Sequence, residues 1–152
     1  MSILQERRTR MKKQMKIVKR RIQNSGRLPE QPAFGLLIDE FIKWASEKTR
    51  NQAFINDYID LMKITNGLQY NGLLIYNINQ DDQNNSVYAA NRIWWELEWN
   101  RRYIFLADSS ISCYCFDLTD NKFYELDKPS GDQIQEFSCL DDLITNSISD
   151  VL

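Results

Sequence analysis

Apolar residues along this chain switch between helical and strand spacing, and each switch marks an element. From Ile3 to Asn24, Leu4, Met11, Met15, Val18 and Ile22 step by seven, four, three and four. That predicts a helix with one narrow apolar stripe and Arg and Lys over the rest. Ser25-Gly26 ends it, and Leu28-Pro29 to Pro32 reads as a short linker. Pro32 suits a first helical turn, and Leu37, Phe41, Trp44 and Ala45 repeat at helical spacing through Lys48. Phe54, Tyr58, Leu61, Met62 and Thr65 define a third helix, which Asn66-Gly67 stops before the strand Leu73 to Tyr76.

The polar run Asn79 to Asn85 is then an exposed loop, and Ser86 caps a helix with Val87, Ala90, Trp94 and Leu97 on one face. Trp95 and Trp99 fall together on a neighbouring face of that helix, framed by Glu96 and Glu98. The remainder predicts an antiparallel meander. Tyr103 to Ala107, Ser112 to Leu118 and Lys122 to Leu126 are its strands, with a tight turn at Thr119-Asp-Asn121. Alternation places Cys113, Cys115 and Asp117 on one face and Tyr114, Phe116 and Leu118 on the other. Pro129-Ser-Gly131 turns the chain into a strand ending at Phe137. Ser138 with Asp141 then has the form of a capping box for a last helix burying Leu140, Leu143, Ile144, Ile148 and Val151.

Charge divides what periodicity leaves as one chain. Residues 1–28 carry ten Lys or Arg against one acid, Glu6, so nine basic and twenty acidic residues remain in 29–152. The expected organisation is a basic helical extension, 1–28, and one acidic α+β domain, 29–152, at a length that suits a single core. The basic helix has four readings: lying its stripe on the domain, contacting nucleic-acid phosphates, resting on a membrane surface, or serving as a transit peptide, for which it is rich in Lys and poor in Ser. No apolar run approaches the roughly 18 residues of a membrane span, and the start is basic where a secretion signal is apolar, so a cytoplasmic protein is expected.

Catalytic chemistry finds little to work with. The chain has no histidine, which removes the usual general base and the Ser-His and Cys-His nucleophiles, and its five glycines form no phosphate-cradling loop. Cys113, Cys115 and Cys139 lack zinc-ligand spacing and read as structural thiols. Asp81 and Asp82 lack the alternating acids, central glycine and closing glutamate of a calcium loop. No cofactor or metal is expected.

Taken in order, INDYIDLMKITNGLQYNGLLIY (55–76), Tyr103 to Asp108 with Cys113 to Asp117, Phe123 to Asp127, and Phe137 to Ile144 resemble the signature of the SUKH superfamily, the Smi/Knr group. The resemblance runs from about residue 30 to the end of the chain. It implies a SUKH-like fold, a central antiparallel sheet of about four to six strands packed by helices. It also implies a function: bacterial members are commonly immunity proteins that bind and neutralise a cognate toxin, often a nuclease or deaminase, whereas eukaryotic ones are associated with regulation. The acidic body fits the first, because a nuclease presents a positive cleft that an acidic, aromatic surface can fill. Asp81, Asp82, Trp95, Glu96, Glu98, Trp99, Asp120 and Asp132 are the candidate partner-binding residues. The alternatives are an intracellular scaffold and a nucleic-acid binder acting through the basic helix.

Overall fold

In the computed structural model, which describes residues 2–152, a single antiparallel sheet runs β1 (Leu68–Tyr70), β2 (Leu73–Ile75), β3 (Tyr103–Asp108), β4 (Ser112–Asp117), β5 (Phe123–Asp127) and β6 (Gln133–Phe137), in chain order across its width. The helices are α1 (Ile3–Asn24), α2 (Leu36–Lys48), α3 (Gln52–Ile64), α4 (Val87–Trp94) and α5 (Leu140–Ser149), and a 3-10 turn at Glu98–Arg102 precedes β3. The expected α+β architecture is present, with six strands and an N-terminal helix.

Every residue of β4 is buried, so both sheet faces are covered. Register puts Tyr114 and Phe116 on one face with Ile104 and Phe123, and Cys113, Cys115 and Asp117 on the other with Tyr103, Phe105 and Leu126. The first face packs on helices: Phe54 of α3 stacks on Phe116 with ring centroids 4.1 Å apart. On the second, Trp94 at the end of α4 stacks on Phe105 at 4.8 Å and donates from its indole to the Tyr76 hydroxyl. Cys113 and Cys115 are buried there as free thiols, and burial pushes the Cys113 thiol up to about 12, far from nucleophilic.

The basic helix is locked to this core. Ser2 and Gln5 form a reciprocal capping box, and Met11, Met15, Val18 and Ile22 are all buried, with α1 lying against α5. Cations flanking the stripe are engaged as well. Arg7 pairs with Asp142 at 3.4 Å, and Arg8 pairs with Asp60 at 3.1 Å and Asp141 at 3.2 Å. Lys19 donates to the carbonyls of Glu30 and Ile64. Asp141 and Asp142 occupy the first turn of α5, where the helix dipole also favours negative charge.

Four local expectations differ from the structure. Pro32 lies before α2, because residues 31–33 run beside the end of α3, where Ala33 N–H donates to Met62 and Asn66 N–H donates to Gln31. A first strand, β1, precedes Leu73, joined to β2 through Asn71 and Gly72, both at positive φ, as a mirror-image hairpin turn requires. Cys139, not Ser138, is the N-cap of α5, and the Ser138 hydroxyl accepts instead from Arg7. Finally, α4 ends at Trp94, so Leu97 is exposed and Trp95 and Trp99 share no helix face. Asn100 and Arg101 stop it by donating to the terminal carbonyls of Trp94 and Trp95, each at 2.9 Å.

One carboxylate at the β4–β5 end links fold to pH. Burial alone would raise the pKa of Asp117, but hydrogen bonds from Thr119 and Arg102 outweigh it and hold it below the usual range. The unfolded carboxylate titrates near about 3.9, above the folded one, so unfolded chains take up protons first as pH falls. The stability that Asp117 contributes is therefore fully present above about pH 4 and is lost below it. Asp82 and Asp127 act in the same direction, and Asp57, raised by burial and by Asp141, acts oppositely. Urea midpoints across pH 7 to 3 should fall less steeply for Asp117→Asn than for the parent; parallel curves would remove Asp117 from this role.

Candidate functional site

A groove runs between the outer flank of α2 and the loop and helix that follow β2. Its α2 wall repeats at one-turn spacing, Leu37, Glu40, Trp44 and Lys48, while Phe41 and Ala45 point inward to the core. The opposite wall is Gln80, Asp81 and Asp82 from the loop, then Tyr88 and Arg92 of α4, then Trp95. Phe34 and Leu36 stand exposed at the end where α2 begins, 79% and 69% accessible.

At its aromatic end the groove is a cleft of about 450 Å³. Trp44 and Trp95 lie nearly parallel with centroids 5.9 Å apart, and Tyr88 meets Trp44 edge-on at 5.3 Å. Lys48 Nζ sits over both indoles, 5.3 Å from Trp95 and 6.0 Å from Trp44. The indole of Trp95 donates to the carbonyl of Tyr103, which fixes its plane against the sheet. The Tyr88 hydroxyl is enclosed without a hydrogen-bond partner among the described residues, and burial, then the charge of Glu40, raises its pKa. These are rigid rings, partly exposed and anchored from behind, the form in which aromatic side chains give up little entropy on binding.

The loop wall is equally fixed. Asp82 accepts from Asn77 Nδ2 and from the N–H groups of Asn84 and Asn85, each at 2.9 Å, and its own carbonyl accepts from Ser86. Those bonds outweigh burial and lower its pKa, so Asp82 holds the loop while Asp81 beside it faces solvent.

Of the residues selected from sequence, the structure gathers Asp81, Asp82 and Trp95 in this groove. Trp99 is elsewhere: its ring lies on Gly131, where an added Cβ would approach it to 2.7 Å, and Asp132 follows in the same turn. Glu96 and Glu98 are exposed on the segment between the two tryptophans. Asp120 sits at the other end of β5 from Asp132, accepting from Lys122 N–H and the Tyr124 hydroxyl. Trp44, Lys48, Tyr88 and Arg92 did not stand out in the sequence. Trp44 reads as core by its spacing from Phe41 and Ala45, and only packing of α2 beside α4 turns it into a wall.

These elements define a class: an α+β domain with one antiparallel sheet whose central strands are buried on both faces by helices. The family model for the SMI1 / KNR4 family (SUKH-1) matches residues 39–146, and the chain belongs to that family. The match begins within α2, spans the groove walls from Glu40 onward and all six strands, and leaves α1 and Leu37 outside. No curated protein matches the chain. No helix among the described residues is long and apolar enough to cross a membrane.

Proposed function

We propose that the chain is an immunity protein of a bacterial toxin system, acting in the cytoplasm by binding a cognate toxin directly, and that the α2–α4 groove is its docking surface. The observation that carries this reading is the pair of anchored, partly exposed indoles, Trp44 and Trp95, walled by Tyr88 and continuous with Leu36, Glu40 and Asp81. An aromatic centre with a polar rim is how interfaces concentrate binding energy. Family membership supports a binding role over turnover, and the excess of acid in residues 29–152 suits a toxin with a phosphate-binding, positive cleft.

The test is co-expression with the product of the adjacent gene, followed by binding measurements on the purified pair. Trp44→Ala should weaken the complex by about 30-fold or more, the scale of one interface anchor. The association rate should fall steeply between low and high salt. Unchanged affinity in Trp44→Ala moves the docking surface elsewhere, and an adjacent product that never binds favours the regulatory scaffold role of Smi/Knr proteins.

A further inference from the structure

The cations of α1 fall into two sets that the sequence does not separate. Arg7, Arg8 and Lys19 flank the buried stripe and are engaged by the domain. Arg10, Lys12, Lys13, Lys16, Arg20 and Arg21 are exposed on the outward half of the same helix, and none lies within ion-pairing distance of a carboxylate among the described residues. Glu6 is the one acid in the helix, and it sits in the first turn, ahead of the six. An overall acidic protein, net −2, thus holds a rigid stripe of a single positive sign.

We infer that this outer face of α1 is a second docking surface, and that its occupant is the phosphate backbone of duplex nucleic acid. A membrane-surface helix needs an apolar face for the acyl boundary, and here that face, Met11, Met15, Val18 and Ile22, is spent on the core. What remains outward along the six cations is charge with one exposed apolar residue, Ile17, while Ile3 and Leu4 stand exposed in the first turn, ahead of the six. Arg10 to Arg21 spans about 17 Å at about 1.5 Å per residue. A duplex presents one phosphate charge per about 1.7 Å of axis, so a segment of that length offers about ten, more than enough for Arg10, Lys13, Lys16 and Arg20, which face outward between the flanking Lys12 and Arg21. The capping box and the buried stripe keep the helix formed before contact, so binding orders side chains only. The surface reads no base sequence, and it lies outside the family match, independent of the groove.

Anisotropy of a labelled 20-base-pair duplex of arbitrary sequence, as RNA and as DNA, titrated with the full chain at 50 mM salt, tests this. Binding is expected, with log K falling against log salt at a slope between about −2 and −5. Lys13→Glu/Arg20→Glu should weaken it at least tenfold and flatten the slope, with thermal unfolding unchanged because both side chains are exposed. Trp44→Ala should leave it intact, which separates this surface from the groove. Absence of binding, binding indifferent to the double reversal, equal binding to polyglutamate, or binding to anionic vesicles without binding to duplex each overturns the inference.

Discussion

Asn91→Ala is expected to cost about 3–5 kcal/mol, a large share of a stability that for domains of this kind is about 5–15 kcal/mol. Asn91 is fully buried on α4, and its amide stands in for a missing strand. β2 pairs with β3 only at Asp108 and Ala107, with one further bond from Tyr76 N–H to the carbonyl of Leu106. Past that point the edge of β3 is open, and Asn91 closes it: Oδ1 accepts from Phe105 N–H at 2.7 Å and Nδ2 donates to the Phe105 carbonyl at 2.8 Å. Alanine strands both backbone groups away from water, at about 1–3 kcal/mol each, and leaves a small void. Urea unfolding should show a much lower midpoint at an unchanged m value. Asn91→Asp is the sharper probe. It keeps the acceptor but aims a carboxylate oxygen at the carbonyls of Phe105 and Val87, to which the amide donates at 2.8 Å each, so its folded pKa lies above the unfolded one and the native state binds the extra proton. That variant should gain stability as pH falls from 7 toward 4, a range in which the depressed carboxylates of the parent keep their contribution. An unfolding free energy within about 1 kcal/mol of the parent for Asn91→Ala would show that the edge is closed by other means.

The same residue shows why the sequence told the sheet so well and the groove so poorly. β3, β4 and β5 announce themselves because their two faces are separately apolar and the turns after β4 and β5 carry Asp, Asn and Gly, so period and punctuation agree. The α1 stripe was legible for the same reason, since each residue of the stripe from Met11 onward meets the core. Asn91 has no such signature: an asparagine inside a helix looks like a weak surface position, and its two strand bonds join residues 14 apart in sequence. The end of α4 was hidden likewise, because the groups that stop it belong to Asn100 and Arg101, six residues past the carbonyls they satisfy. β1 and β2 are three residues each, too short to display a period, and only the Asn71-Gly72 pair marks their hairpin. Of the candidate site, Trp95 was legible as a tryptophan off the main apolar face. Its partner Trp44 was not, because their stacking depends on where α2 lies against α4.

Phe54→Ala should be as damaging, at about 3–5 kcal/mol, by a different route. Phe54 enters at the first turn of α3, where Asn51 caps the helix by accepting from its N–H, and its ring is buried against three others. It stacks on Phe116 of β4 within 10° of parallel and lies 6.1 Å from Phe123 and 6.5 Å from Tyr58. Truncation removes the ring that fastens α3 to the sheet and opens a cavity that β4, hydrogen-bonded on both sides, cannot collapse to fill. Phe54→Leu restores most of the volume but not the stacking, which contributes about 0.5–1.5 kcal/mol, so it should fall well short of the alanine loss. Trp44→Ala supplies the contrast that matters for function. Its ring is partly exposed over the groove and also rests on Phe41, centroids 6.0 Å apart, so the variant should lose less stability than Phe54→Ala while losing the partner. Phe54→Leu should shift the midpoint and keep the partner, because the wall of the groove facing solvent is untouched. If Trp44→Ala instead unfolds as readily as Phe54→Ala, the indole is core and not anchor, and the groove loses its claim as the docking surface.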